Sequence, residues 1–136
     1  MIKNLDELKS LYPGAHVWAF GDSAQMANAL STLVIEGHKT ASCSTLASHC
    51  ELENKLTVGD YHIVLDGNDL PACIIRTTAL KIIRFNDVSE KEAALEGEGD
   101  KSLAYWRREH QAFFERSGHF SESLELVFEE FELIDS

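Results

Sequence analysis

The sequence has few basic residues and no long apolar run. Lys and Arg number 12 against 23 Asp and Glu, which gives a formal net charge of −11. So acidic a chain is not a general polyanion binder of the histone kind. No stretch approaches the ~18 to 20 apolar residues of a membrane span, and the N-terminus carries acids early instead of the apolar segment of a signal peptide. These absences predict a cytoplasmic protein with no membrane partner.

Cysteine is scarce and odd in number, with Cys43, Cys50 and Cys73 as the 3 thiols. The sequence has no C-x-x-C pair, which argues against a disulfide framework or a zinc ribbon. Cys43, His49 and Cys50 come nearest to a zinc set, but no fourth ligand is evident. The sequence also lacks a G-x-G-x-x-G, a Walker loop, an H-E-x-x-H and a G-x-S-x-G motif. We therefore expect reduced thiols, no metal and no other cofactor.

The apolar pattern predicts an α+β fold in one domain over residues 1–136. Hydrophobic residues make up 44% and charged residues 26% of the 136-residue chain, as in ordinary globular domains. Helical periods and capping signals predict helices over 5–11, between Ser23 and Gly37, over 89–96 and from Asp100, as N-cap, to about Ser117. Alternating runs predict four to six strands that form a small curled barrel, with about four helices.

Three segments of the chain are harder to assign. The polar residues 47–55 indicate a surface loop, and Pro71 indicates that the strand over 72–85 begins at a sheet edge. In the last segment, apolar residues occupy even-numbered positions at Leu126 and Phe128 but odd-numbered positions at Val127 and Phe131, so they do not all fall on one face of a strand. A β-bulge or a strand buried on both faces would explain that switch. The base-free acidic tail from Ser121 is expected to lie away from any anionic ligand.

Two short motifs are candidates for chemistry. Lys39 follows the helix-ending Gly37, so rigid backbone holds it; if buried, its amine could act as a neutral base or grip an anion. The alternative is a solvated lysine at a helix C-terminus. Glu96, Glu98 and Asp100 repel one another and could bind a hard cation or present a carboxylate with a raised pKa, unless they are only a solvated connection between helices.

Two further segments carry cations among apolar residues. Arg76 lies in an apolar strand and is either an inward ligand-binding residue or an edge-facing charge. Tyr105, Trp106 and Arg107 lie on one helix, where rings and guanidiniums could stack on a base and hold phosphate. The alternative is that Trp106 belongs to the core and that His110 is a hydrogen-bonded core residue.

Six segments, in this order, resemble the ASCH domain family, and in particular its bacterial stand-alone members: Phe20–Ser23, Gly37–Ser42, Val58–Tyr61, Cys73–Thr78, Glu96–Asp100 and Ser102–Arg107. The resemblance runs from about residue 18 to residue 131. It implies a PUA-like small β-barrel with flanking helices around a cleft. The ligand that it implies is RNA, a nucleotide or a modified nucleoside.

The resemblance also implies site residues. In relatives that hydrolyse nucleoside amides the catalytic set is a Lys, a Thr and a Glu, which correspond here to Lys39, Ser42 and either Glu96 or Glu98. The implied activity is hydrolysis of an N4-acylated cytidine-type substrate. A non-catalytic RNA- or nucleotide-binding module, with phosphate contacts that include Arg108, and a ribonuclease are the alternatives. The residues expected to contact the ligand are Asp22, Ser23, Thr40, Arg76, Tyr105, Trp106 and Arg107.

Overall fold

A computed structural model describes residues 2–53, 55–118 and 120–136. Its helices are α1 (Leu5–Leu11), α2 (Ala24–Ile35), α3 (Leu46–Glu51), α4 (Glu90–Glu96) and α5 (Leu103–Arg116). Its strands are β1 (His16–Ala19), β2 (Ala41–Thr45), β3 (Tyr61–Leu65), β4 (Pro71–Arg84) and β5 (Glu125–Asp135). A 3-10 turn, Phe85–Asp87, joins β4 to α4. The described helices include none with the length and hydropathy of a membrane span.

The five strands form one curled sheet in the order β1-β3-β4-β5-β2. β1 runs parallel to β3, and the other pairs are antiparallel. The long strands β4 and β5 pair along most of their length with two register shifts, one of them leaving out Thr78. Because bulges increase the local bend and twist of a sheet, they help to curl it into a half-barrel whose two edges are β1 and β2. The predicted α+β fold with a small curled barrel is confirmed.

Helices cover the sheet and bury three groups of apolar side chains. The helix ends follow local signals: the Ser23 hydroxyl accepts a hydrogen bond from the backbone N–H of Met26 at the start of α2, and Gly37 takes a left-handed φ of 83° after its end. The buried groups are Phe20, Val34, Val64, Cys73, Ile75 and Phe131; Phe85, Val88, Ala93, Trp106, Phe114 and Leu126; and Leu8, Ile63 and Ile74.

Three local predictions are wrong. The expected loop over 47–55 begins with the helix α3, which Thr45 caps by accepting from the N–H of Ser48. Pro71 begins a central strand, not an edge strand; as the first residue of β4 it needs to donate no ladder hydrogen bond. The N-cap of α5 is Ser102 and not Asp100, whose carboxylate accepts from the N–H of Ser102 instead.

The parity switch in the last segment has one of the two expected causes, burial of the strand on both faces. Residues 126–129 of β5 are buried without interruption, so both faces of this strand are covered. The bulge at Thr78 lies on the partner strand β4, opposite the step from Glu130 to Phe131, and adds no residue to β5 there. Glu129 is among these buried residues, so one carboxylate of the acidic tail lies inside the fold.

Candidate functional site

The backbone between α2 and β2 turns Lys39 inward. The N–H groups of His38 and Lys39 both donate to the carbonyl of Leu33 at the end of α2. This loop lies so close to Gly97, which ends α4 with a φ of 68°, that a Cβ at position 97 would overlap the carbonyl oxygen of His38. Glycine is therefore required there, and its close approach joins the end of α4 to the start of β2.

Lys39 lies at the centre of a buried ion cluster. Its Nζ is 3.2 Å from Oε1 of Glu96 and 2.9 Å from Oε2 of Glu98. Lys39 is 2% exposed and Glu96 1%, whereas the Glu98 side chain is 16% exposed. Nε2 of His110 lies 3.3 Å from the same Oε1 of Glu96. The sequence left open which glutamate faces the lysine, and the structure brings both to it.

The opposite charges in this cluster stabilise each other's ionised forms. Burial by itself lowers the pKa of Lys39, but the carboxylates of Glu96 and Glu98 outweigh it and raise that pKa above its ordinary value. Burial likewise works to raise the pKa of Glu96, yet Lys39 and His110 bring it well below its usual range. Lys39 is therefore an ammonium group and Glu96 a carboxylate, so of the two predicted states of the lysine the charged one applies to the free protein.

The cluster forms one wall of a pocket of about 380 Å³. Ser42 on β2 and Tyr105 on α5 contribute to the lining beside Lys39, Glu96 and Glu98. The other lining residues are mainly apolar or aromatic: Phe20, Gly21, Met26, Ala29, Leu30, Cys43, Glu109, His110, Phe113, Phe114 and Arg116. The pocket is large enough for a small-molecule ligand.

A second pocket, of about 570 Å³, lies between the two edge strands of the half-barrel. β1 and β2 both contribute to its lining, and it shares Phe20, Gly21, Ser42 and Cys43 with the first pocket. The two pockets are therefore adjacent, and both are lined by residues of β2.

A buried polar network that includes His62 and Glu129 borders this second pocket, and little in the sequence indicates it. His62 is 0% exposed; its Nδ1 accepts from the indole N–H of Trp18 at 2.8 Å. Its Nε2 lies 2.8 Å from the Thr77 hydroxyl and 3.1 Å from Glu129, and Thr77 also donates to Glu129. An indole only donates, so the Nε2–H tautomer of His62 faces Thr77 and Glu129. The one available signal was a histidine inside an apolar strand.

Five of the residues expected at the site line the Lys39 pocket together: Lys39, Ser42, Glu96, Glu98 and Tyr105. Trp106 is buried behind it and donates its indole N–H to Oε2 of Glu96 at 2.7 Å. Trp106 is thus a core residue, as the second alternative predicts, and it also holds a site residue; its role as a ligand contact stays a prediction. Arg108 lies over the ring of Tyr105, 5.3 Å from its centroid.

The other residues expected to contact the ligand lie elsewhere. Arg76 is exposed, donates to the carbonyl of Gly59 at 3.1 Å and lies over the Tyr61 ring. Asp22 pairs with Arg116, Ser23 caps α2, and Thr40 donates to the carbonyl of Leu95. Arg107 lines a separate depression with Phe85, Asn86, Gln111, Phe120 and Glu122. Their roles as ligand contacts stay predictions; Asp22 lies beside the Lys39 pocket, because it pairs with the lining residue Arg116.

Sequence reasoning did not place Cys43 and His110 in the pocket. In the sequence, Cys43 came nearest to a zinc set together with His49 and Cys50, but the structure places it beside Glu96. Burial, and then Glu96, raise the pKa of the Cys43 thiol well above its usual range. His110 lies on the apolar stripe of α5, which explains why its spacing indicated a core residue. It stacks on Trp106 with ring centroids 4.3 Å apart.

Comparisons with known proteins identify the family. A family model described as ASCH domain matches residues 16–135. A solved ASCH domain from Lactobacillus crispatus JV V101 is 35% identical, covers 96% of this chain and 86% of its own, and superimposes with a TM-score of 0.84. Protein EF3133 from Enterococcus faecalis V583 is 38% identical, with 96% and 85% covered and a TM-score of 0.83.

A more distant structure supports the fold alone. The hypothetical protein PH0355 is 16% identical and has a TM-score of 0.63, with 88% of this chain and 99% of that chain covered. The comparison with curated proteins finds no match.

Proposed function

This chain belongs to the ASCH domain family, and from that premise we propose that its Lys39 pocket hydrolyses the amide bond of a small neutral substrate, with an N4-acylated cytidine as the expected type. The observation that carries the proposal is the buried cluster of Lys39, Glu96 and Glu98 beside the hydroxyl-bearing Ser42. It combines an ammonium donor, a partly exposed carboxylate, Glu98, to take up a proton, and a candidate nucleophile in one pocket.

The charge of the pocket supports a neutral ligand over a phosphate. Two carboxylates share the single ammonium of Lys39, and Arg116 is paired with Asp22 at 3.1 Å. Glu109 adds a further carboxylate to the lining. An anionic phosphate would therefore meet no unshared positive charge from the described lining residues, whereas an uncharged amide has no such requirement.

Glu96 and Glu98 differ in exposure, and we assign their roles in the reaction accordingly. The oxygen of the nucleophile, either the Ser42 hydroxyl or a water, adds to the acyl carbon, and its proton passes to Glu98, the more exposed carboxylate. The proton then moves to the nitrogen as the C–N bond breaks, which releases the amine. If Ser42 is the nucleophile, water hydrolyses the acyl-serine in a second step; if water is, the acid leaves directly.

Lys39 acts in this scheme as a charged donor. Its N–H groups orient both carboxylates and can stabilise negative charge that develops on the acyl oxygen. A role as the base would require Lys39 first to give its proton to Glu98, because the two carboxylates hold the amine protonated. Glu96, buried and held by Trp106, keeps Lys39 in position.

The test is whether purified protein releases acetate and cytidine from N4-acetylcytidine, with the products measured by chromatography. Lys39→Ala should abolish the activity, and Glu98→Gln should lower it by about 10²- to 10⁴-fold, as loss of a proton-transfer group does. Lys81→Ala is the matched control, because Lys81 also pairs with a glutamate, Glu92 at 3.1 Å, but its side chain is 50% exposed and outside the pocket. Its activity should equal that of the wild type.

Ser42→Ala separates the two nucleophiles, since only a serine mechanism loses most of its rate with this variant. Circular dichroism must show that each variant is folded. The proposal is wrong if the wild type releases no acid from any of a panel of N-acylated nucleosides, or if folded Lys39→Ala and Glu98→Gln keep full activity.

The alternatives are RNA or nucleotide binding without turnover, and ribonuclease activity. Both would use phosphate contacts, and such contacts make affinity fall steeply with added salt. Of the four cations expected to make them, Arg76 and Arg107 lie outside both pockets and Lys39 is neutralised. A salt-dependent affinity for short RNAs, or cleavage of labelled RNA with metal chelated, together with no amide hydrolysis, would favour these functions instead.

A further inference from the structure

Three potential metal ligands meet on the wall of the Lys39 pocket. Cys43 lies on β2, Glu96 ends α4, and His110 lies on α5. One ligand atom from each side chain lies within 4.8 Å of the other two. Within the described ranges of the chain, no other group of three or more such side chains meets this criterion. We infer that these three residues form a Zn²⁺ site, independent of whether the pocket hydrolyses amides.

The hydrogen bonds around His110 leave one nitrogen directed at the site. Its Nδ1 lies 2.9 Å from the carbonyl oxygen of Trp106, and a carbonyl only accepts, so Nδ1 carries a proton. The other nitrogen, Nε2, lies 3.3 Å from Oε1 of Glu96 and donates to it in the free protein; loss of that proton frees Nε2 for the ion. Metal-binding histidines are held in this way, with the far N–H donating to a carbonyl and the near nitrogen bound to the ion. Stacking on Trp106 fixes the plane of the ring.

Glu96 is held by the same neighbour. Its Oε2 accepts the indole N–H of Trp106 at 2.7 Å, while Oε1 lies 3.3 Å from Nε2 of His110. An outer hydrogen bond that orients the carboxylate is the second feature of a prepared metal site. Trp106 thus positions two of the three ligands, one through its backbone carbonyl and one through its side chain.

The donor set and the charges fit Zn²⁺. Thiolate, imidazole and carboxylate are the ligands that zinc takes in proteins, and three protein ligands leave a fourth position for water. All three side chains line the pocket, so that position can open toward it. The thiol proton of Cys43 and the Nε2 proton of His110 leave to the buffer as the S–Zn and N–Zn bonds form. The thiolate, Glu96 and Glu98 then balance the charges of the ion and of Lys39.

The experiment is a titration of the full chain, freed of metal by chelation and dialysis, with Zn²⁺ in a calorimeter and with Co²⁺ in a spectrophotometer. We expect one ion per chain and a thiolate-to-cobalt charge-transfer band that added Zn²⁺ abolishes. Cys43→Ser should remove the band and weaken Zn²⁺ binding more than about tenfold, because even outer-shell changes cost about 10- to 100-fold. Cys50→Ser, which alters an exposed thiol outside the site, should leave both unchanged.

Trp106→Phe tests the site without removing any of its three ligands. It keeps an aromatic ring and the backbone carbonyl but removes the indole donor to Glu96, so Zn²⁺ should bind about 10-fold more weakly while the cobalt band persists. The inference is overturned if the wild type binds neither ion, if Cys43→Ser binds Zn²⁺ as tightly as the wild type, or if Cys50→Ser loses binding to the same extent.

Discussion

Replacing Lys39 with methionine tests how the ion cluster is stabilised. Methionine is of similar length, but it leaves the carboxylate of Glu96, 1% exposed, without the ammonium 3.2 Å away. Removal of one partner from a buried ion pair costs about 3 to 5 kcal/mol. The whole domain is expected to be stable by only about 5 to 15 kcal/mol, so Lys39→Met should lose a large share of its free energy of unfolding.

Two further variants separate the charge effect from general damage to packing. Lys81→Met breaks an exposed Lys–Glu pair and should cost only about 0 to 1 kcal/mol. The double variant Lys39→Met/Glu96→Gln removes the stranded charge as well, and it should be clearly more stable than Lys39→Met alone, because replacing both partners of a buried pair is often nearly neutral. Glu98 tolerates the change because its side chain reaches solvent.

The assay is urea unfolding of the variants, followed by circular dichroism and extrapolated to zero denaturant. Comparable slopes are needed, so that a lower midpoint reports stability and not a change in the unfolded state. A loss of less than about 1 kcal/mol in Lys39→Met, no larger than an exposed pair gives, would refute the account of a tightly coupled buried pair. So would a double variant no more stable than the single one.

Two other predictions follow from the ionisation of single groups. Iodoacetamide should modify the exposed Cys50 first in the native protein, because burial raises the pKa of Cys73 to about 12 and that of Cys43 well above its usual range; peptide mass spectrometry checks this, and alkylation of Cys43 at the rate of Cys50 would contradict it. Burial by itself raises the pKa of Asp60, but the hydrogen bond from His16 at 2.8 Å and one from a backbone N–H lower it overall. This carboxylate therefore stabilises the fold above its ordinary pKa and ceases to do so as the pH falls through its lower, folded value; His16→Ala should raise the Asp60 pKa in an NMR titration, and an unchanged value would contradict that.

The parts of the fold that could be predicted are those that depend on local signals. The helix over Leu5–Leu11 is predicted to the residue because Pro13 and Gly14 follow its end. The helix α3 was missed because its six residues carry no apolar period. The sequence signal for α3 is Thr45, its N-cap residue. A threonine at this position is equally compatible with the end of strand β2, so it does not by itself predict a helix.

The candidate site depends on contacts that spacing cannot predict. Lys39 lies 57 residues from Glu96 along the chain, and only the family resemblance connected the two. His110 and Cys43 were missed for the same reason, since each contacts Glu96 across separate elements. Arg76 illustrates a different limit: its place in an apolar strand allowed either an inward ligand contact or an edge-facing charge, and only the structure shows that it is exposed and lies over Tyr61.

Burying the charges of the cluster costs desolvation free energy, and folding does not require charged residues at these positions. Replacing a buried ion pair with apolar residues of similar volume is often neutral or stabilising, so a cluster of Lys39, Glu96 and Glu98 gains little for the fold over an apolar one. If Lys39→Met/Glu96→Gln matches the wild type in stability yet loses amide hydrolysis, the charges serve the ligand and not the architecture. Gly97 would then have the same purpose, because its lack of a side chain is what lets α4 bring Glu96 against the Lys39 loop.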